Sequence, residues 1–219
     1  MKTLLQITQY ISKMPNSELS TVTAISDVTD EQINALNQAL KTIWDYANWD
    51  FRYNKTTFDT VVDQADYAMV DGIIKENGIR ITGVSNPLRY EPNHEVISPS
   101  MSSGIPYRYW VEGNEIVLNP TPSSVKTVTV KFTSKYPVKT SGGALKTEFD
   151  LDSSTDFLNI PERIEPEFIR CLGHLTNEIL NADQTDEDYL EHNLRYKKAI
   201  SDLQLADRGS SDNSASITY

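Results

Sequence analysis

The first fifty residues carry apolar side chains at helical spacing. Two Thr-x-x-Gln sequences, Thr3–Gln6 and Thr29–Gln32, can each close a capping box that satisfies free amides at a helix start. Pro15 ends the first pattern, because proline cannot continue a helix. This spacing predicts two amphipathic helices. The apolar positions that define them are Leu4, Ile7, Ile11 and Met14, then Ile33, Leu36, Leu40, Ile43 and Ala47.

From Phe51 to about Pro137 the apolar period changes from helical spacing to two. Alternation with polar neighbours is typical of half-buried antiparallel strands. Gly113-Asn114 suits a two-residue hairpin turn, with glycine taking a positive φ. Residues 138–157 are polar and centred on glycine, which predicts a projecting loop or hairpin. The alternating positions are Ile79/Ile81, Tyr107/Tyr109/Val111, Ile116/Leu118 and Val128/Val130/Phe132.

Helical spacing returns after Pro161. Acids at Asp186, Glu187 and Asp188 favour the start of a fourth helix, because carboxylates are stabilised at a helix N-terminus. The sequence RGSSDNSASITY, residues 208–219, lacks apolar side chains until Ile217 and Tyr219, which predicts a flexible tail. The apolar faces are Ile164, Phe168, Cys171, Leu172, Leu175 and Ile179 in the third helix, then Tyr189, Tyr196, Ile200 and Leu203 in the fourth, with Leu190 and Leu194 beside them.

These patterns predict an α+β protein. The expected core is a four-helix bundle formed by an N-terminal pair of helices (1–50) and a C-terminal pair (158–207). The expected antiparallel β region (51–157) is inserted between the two pairs, and residues 208–219 form the tail.

Charge and composition narrow the function. The chain has 219 residues, with 20 Lys and Arg against 31 Asp and Glu, for a net charge of −11. That balance argues against gripping DNA phosphates as the main activity, because such binding needs a basic surface. Cys171 is the only cysteine, which excludes an intrachain disulfide or a cysteine-built zinc site. No stretch approaches the length of a membrane span, so we expect no membrane partner.

The sequence offers only weak candidates for a catalytic or metal-binding site. Asp150, Asp152 and Asp156 resemble the start of a calcium loop, but Thr155 and Pro161 stand where glycine and glutamate are needed. Ser123 and Lys126 match an S-x-x-K sequence inside a predicted turn. We therefore predict no catalytic, cofactor-binding or metal residue, and no cofactor. A metal-dependent hydrolase that uses the Asp150–Asp156 loop stays open as an alternative. The three histidines, His94, His174 and His192, lack metal-ligand spacing.

Five lysines, without an acid between Lys126 and Thr147, form a basic segment: Lys126, Lys131, Lys135, Lys139 and Lys146. Two interpretations stay open. Lysines protect solvated strand edges from aggregation, and a basic surface can also meet an acidic neighbouring subunit. A nucleic-acid-binding module that uses residues 126–146 is the main alternative function.

Four stretches resemble, in order, the head-to-tail adaptor proteins of tailed bacteriophages. DEQINALNQAL (30–40) followed by Trp44 and Trp49-Asp50-Phe51 is similar to the second helix of that family and its exit into the first strand. ADYAM (65–69) is similar to its Y-A-L-P strand, although Val70 replaces the proline. GIPYRYW (104–110) with GNEIVLNPTP (113–122) resembles its central hairpin, and LNIPER (158–163) resembles the entry to its third helix.

The resemblance implies a structural virion protein, not an enzyme. Members form a ring, commonly of twelve copies, below the portal, extend the DNA channel and provide the platform for tail attachment. The implied partners are other copies, the portal protein, and tail or nozzle proteins, while genomic double-stranded DNA passes without specific binding. The implied location is the virion neck, and the host cytoplasm during assembly. Another tail or neck protein is the closest alternative.

Two further expectations accompany the resemblance. Ile217 and Tyr219 anchor the tail on the portal, and the lysines from Lys126 to Lys146 contact a neighbouring subunit. The aromatic hairpin serves as core and subunit contact through Tyr107, Tyr109, Trp110, Ile116 and Leu118.

Overall fold

The chain divides into two compact units. A computed structural model describes residues 1–15, 17, 19, 21–92, 103–152, 154–181 and 187–208, apart from the side chains of 187–189. The helical unit comprises Met1–Arg52 and Tyr136–Tyr219, and the β unit comprises Tyr53–Lys135. Residues 136–157, which we expected in the β region, therefore belong with the helices.

Four α helices and two short 3-10 helices are described. Both predicted capping boxes are confirmed: Thr3 caps the first helix with Gln6, and Thr29 caps the second with Gln32. Pro166 lies in the first turn of the third helix, where its missing amide costs nothing. The helices are α1 (Leu4–Ile11), α2 (Asp30–Tyr46), α3 (Glu165–Leu180) and α4 (Glu187–Arg208), and the 3-10 helices are Ile25–Asp27 and Asp50–Arg52.

Twelve strands are described, most of them short. The longest three are β1, β3 and β9, which pair antiparallel in the order β1-β9-β3. The strands are β1 (Tyr53–Asp59), β2 (Asp66–Ala68), β3 (Gly72–Ile81), β4 (Arg89–Tyr90), β5 (Ser103–Gly104), β6 (Arg108–Glu112), β7 (Glu115–Asn119), β8 (Thr121–Pro122), β9 (Thr127–Ser134), β10 (Val138–Lys139), β11 (Leu145–Lys146) and β12 (Phe157–Leu158).

The predicted four-helix bundle with an inserted sheet is wrong. The chain instead combines four helices with four separate sheets. Helix packing is concentrated on α3, along which α2 and α4 lie, while the eight-residue α1 approaches it at Gly173. A Cβ at Gly173 would stand 2.4 Å from the sulfur of Met14, so a larger residue here would require the Met14 side chain to move. Periodicity identified buried faces, but it did not identify what covers them.

Of the two predictions for 138–157, a projecting loop or a hairpin, the structure has a hairpin, in which β10 pairs antiparallel with β11. Its strands β10 and β11 join β12 in a three-stranded antiparallel sheet within the helical unit. Phe149 is buried in the helical core, and its backbone exchanges two hydrogen bonds of 2.9 Å with the side-chain amide of Asn37 on α2. One buried phenylalanine in a polar stretch thus fixes the segment against the helices.

The β unit is not wholly antiparallel. A four-stranded sheet has the order β2-β7-β6-β4, in which the β4–β6 pair is parallel, and β5 pairs with β8 in parallel. The predicted turn is confirmed, since Gly113 has φ 59° between β6 and β7. The two larger sheets of the unit share an apolar core that includes Ile79, Ile81, Tyr109, Ile116, Leu118, Val128 and Val130.

The end of α4 is joined to the exit from α2 by one buried carboxylate. Asp207 accepts hydrogen bonds from the amides of Asp50 (2.7 Å) and Phe51 (3.1 Å). Burial raises the pKa of Asp207, and these two hydrogen bonds oppose that rise. Phe51 is thereby held between Trp49, at 5.5 Å between ring centroids, and Phe168 of α3, at 5.9 Å.

We expect Asp207→Ala to lower the free energy of unfolding by about 1–3 kcal/mol, because two amides lose their acceptor in a buried site. Asp202→Ala is the matched control on the same helix. Asp202 pairs with Arg170 at 2.8 Å, but both side chains are more than a third exposed, so its loss should cost about 1 kcal/mol or less. Urea denaturation of both variants measures the difference, and equal effects would contradict this role of Asp207.

Candidate interaction surfaces

The aromatic hairpin divides between core and surface. Tyr109, Ile116 and Leu118 are buried in the core of the β unit. Tyr107 is exposed beneath the guanidinium of Arg108, whose carbon lies 5.4 Å from the ring centroid, and Trp110 is half-buried. The predicted core and contact set is therefore not one surface: Trp110 points away from its neighbour Tyr109, as adjacent strand residues do, and Tyr107 lies before β6 begins.

The five lysines of the basic segment do not share one unit. Lys126, Lys131 and Lys135 lie in the β unit, whereas Lys139 and Lys146 lie in the helical unit. Lys126, Lys131 and Lys135 are exposed. Lys131 is the cross-strand partner of Lys55, a like-charge pair that is unfavourable and that a nearby anion would relieve.

Lys146 has an internal role. Its ammonium contacts the carboxylates of Asp150 (2.8 Å) and Asp156 (2.9 Å), and Asp156 is only 2% exposed. Buried carboxylates need such a partner. Two of the three acids that resembled a calcium loop, Asp150 and Asp156, are thus paired with a lysine of the same chain. Among the described residues, no group of three or more His, Cys, Asp or Glu side chains could hold a metal ion.

His174 and His192 meet between α3 and α4, with ring centroids 6.0 Å apart. Both side chains are buried. Burial, together with the nearby His192, Arg195 and Arg170, lowers the pKa of His174 to about 4. Burial also raises the pKa of Cys171 to about 12, so this thiol is a poor nucleophile at neutral pH. His94 lies outside the described residues.

A groove opens on the β unit where β3 leaves the regular ladder. Ile74 pairs with Phe132 and Ile79 with Val130, so four residues of β3, 75–78, stand opposite the single residue Lys131. Asn77 has a positive φ of 55°. A Cβ at Gly78 would lie 2.6 Å from the carbonyl oxygen of Lys131, so this close approach requires glycine.

The groove has an apolar floor and rim. Its volume is about 730 Å³, within the range of ligand and peptide sites. Tyr109 and Val111 of β6 line it on one side, and Ile73 of β3, 59% exposed, lines it on the other. Tyr90 is 51% exposed and lies 5.3 Å from Tyr109 between ring centroids. Burial and the neighbouring Tyr90 raise the pKa of Tyr109 to about 12, so its phenol stays neutral.

Cations dominate the charged lining of the groove. Lys75, Arg89 and Lys135 line it together with one acid, Glu76. The Lys75 ammonium lies 3.0 Å from the centroid of the Tyr53 ring, a cation–π contact. Such a lining suits an apolar group presented on an acidic surface. Sequence analysis missed this groove, although Asn77-Gly78 inside an apolar strand was a signal for a bulge.

The remaining expectations have no structural outcome. Ile217 and Tyr219, the predicted portal anchors, lie outside the described residues.

A search of protein-family models found no family that matches the chain, and a search of curated proteins found no matching relative. Across the described residues, no helix is both long and apolar enough to cross a membrane. The expected absence of catalytic and cofactor sites stays a prediction.

We expect Lys146→Met to destabilise the fold by about 1–3 kcal/mol, because Asp156 would remain buried without its cation. Lys131→Met is the matched control. Lys131 is exposed and opposite Lys55, so removing its charge should leave stability unchanged or slightly raise it. Thermal unfolding of the two variants measures the difference. If Lys131→Met proves as damaging as Lys146→Met, the structural role assigned to Lys146 is wrong.

Proposed function

We propose that this chain is a structural virion protein, a head-to-tail adaptor that forms a ring below the portal of a tailed bacteriophage. The ring, commonly of twelve copies in the family it resembles, extends the DNA channel and carries the tail. Its partners are other copies, the portal protein, and tail or nozzle proteins. Genomic DNA passes through the channel without specific binding. The proposed location is the virion neck, after assembly in the host cytoplasm.

The observation that best supports the proposal is the open apolar groove of the β unit. Ile73 and Tyr90 on its rim keep more than half of their surface exposed. Exposed apolar surface around a concave site is typical of a contact with another macromolecule. The groove lies next to the hairpin whose sequence most resembles the adaptor family, since Tyr109 and Val111 belong to both.

The charge distribution also supports assembly from copies of one chain. The helical unit carries 12 Lys and Arg against 22 Asp and Glu, whereas the β unit carries 8 against 9. The two units therefore have net charges of −10 and −1. Surfaces of unequal charge on one chain can attract when they belong to different copies.

A nucleic-acid-binding module is the second candidate. Lys55, Lys131 and Arg80 are all exposed on the sheet β1-β9-β3 and could contact phosphates. The net charge of −11 opposes such binding. Affinity for DNA that falls steeply with salt would favour this candidate over the adaptor.

The direct test of the proposal uses phage heads assembled from the capsid and portal genes of the same genome. We expect the purified chain to add a ring of density below the portal in electron micrographs, because the resemblance implies that position. A chain that ends at Arg208 keeps the whole of α4. It should fold normally and attach less stably, because the proposed anchors Ile217 and Tyr219 are then missing.

Heads without added density at saturating protein would overturn the adaptor proposal. Equal attachment of the full-length and shortened chains would overturn only the anchoring role of the tail.

A further inference from the structure

The helical unit presents two exposed leucines that its own core does not use. Leu190 is 61% exposed and Leu194 is 67% exposed, one turn apart on α4. The inner face of the same helix buries Ala199, Ile200 and Leu203 against the other helices. Positions i and i+4 lie on the same face of a helix, so the two leucines form one apolar projection.

The groove of the β unit has apolar lining residues that suit a pair of projecting leucines. An amphipathic helix commonly docks by placing apolar side chains at i and i+4 into a hydrophobic groove. The groove offers Ile73, Tyr90 and Val111 to such side chains, within a volume of about 730 Å³. A third exposed leucine, Leu205, lies 11 residues beyond Leu194, or about 16 Å along the helix, and is therefore not part of this projection.

The charges of the groove and of the α4 region also favour contact between the two surfaces. The groove is lined by Lys75, Arg89 and Lys135 against Glu76 alone. In the sequence, residues 183–191 hold five Asp or Glu and neither Lys nor Arg. The residues after Leu194 are more basic, with Arg195, Lys197 and Lys198. The acidic half of the α4 region is therefore the half that carries Leu190 and Leu194.

We propose that Leu190 and Leu194 of one copy dock into the β-unit groove of a second copy. This contact joins two different surfaces of the same chain, so it is heterologous. Repeated contacts of this type close into a ring or continue as an open filament. The inference deepens the proposed function by naming a subunit contact, and it can be tested without the portal.

Two single substitutions test the contact, one on the rim of the groove and one on the helix face that carries the two leucines. Ile73→Glu places a carboxylate on the groove rim, and Leu194→Lys places an ammonium on the helix projection, where it would face the cations of the groove. Both sites are more than half exposed, so folding should be retained, which circular dichroism checks. Val125→Glu, at a position 63% exposed and outside the groove, is the control for Ile73→Glu, and Leu205→Lys, at a position 68% exposed, is the control for Leu194→Lys.

Sedimentation velocity measures self-association of each protein and of an equimolar mixture. We expect each of the two test variants to self-associate more than about tenfold more weakly than the unmodified chain, because Ile73→Glu would face the acidic half of the α4 region and Leu194→Lys would face the cations of the groove. The controls should associate as the unmodified chain does. The mixture should form a heterodimer and nothing larger, since one intact groove and one intact helix face remain between the two variants.

Several results would overturn the inference: a monomeric unmodified chain at high concentration, unimpaired assembly of either test variant, or a mixture that stays monomeric. An unmodified chain that associates only when DNA or another protein is added would also overturn it, because the groove would then have a different occupant. If the mixture gives heterodimers but heads gain no ring, the subunit contact stands and the adaptor proposal fails. If heads gain a ring but the test variants assemble normally, the adaptor proposal stands and the subunit contact fails.

Discussion

The helical unit depends on one constraint, which is that α3 must be covered on nearly all sides. Ten of its sixteen residues are buried, including an unbroken run from Cys171 to Asn177. Such a helix is stable in water only when other elements surround it. The other helices and the small sheet β10–β12 supply that cover, and Gly173 lets α1 come close. The same constraint explains the exposed leucines, because α4 uses its inner face on α3 and leaves the outer face to solvent.

The β unit meets a different constraint at β3. In the ladder with β9, four residues of β3 (75–78) stand opposite the single residue Lys131, so β3 carries three additional residues, and residues 75–77 line the groove. Tyr109 stays buried at the base of the opening, whereas Ile73 and Tyr90 become exposed. When an apolar core is left open at one end, either a partner covers the opening or apolar surface stays exposed to water, which is unfavourable. The groove is thus a consequence of the bulge, which Gly78 makes possible.

Local signals in the sequence were sufficient for elements and insufficient for their arrangement. Thr3 and Thr29 predicted helix starts correctly, and Gly113 predicted its turn, because each depends on hydrogen bonds or dihedral angles within a few residues. The four-helix bundle was wrong, because an amphipathic pattern shows that a face is buried but not which element buries it.

The candidate site was even less visible in the sequence. The five lysines of the basic segment were expected to form one basic surface. Lys146 is instead paired with Asp156, and the segment spans two units. The groove combines residues from 69 to 135, which come together only where β3 of one sheet contacts β4 of the sheet that also holds β6. Phe149 shows the same limit, since it is buried among residues 147–152, which form no helix or strand whose period could indicate burial.

Hydrogen–deuterium exchange of the assembled chain against its monomeric form tests the central claim most directly, because exchange reports protection of each segment on assembly. The account predicts new protection in two places at once, the β3 segment around Ile73–Asn77 and the α4 segment around Leu190–Leu194, without a change in the buried helix α3. Protection confined to the lysine-bearing strand β9, or found at neither of the two segments, would contradict it.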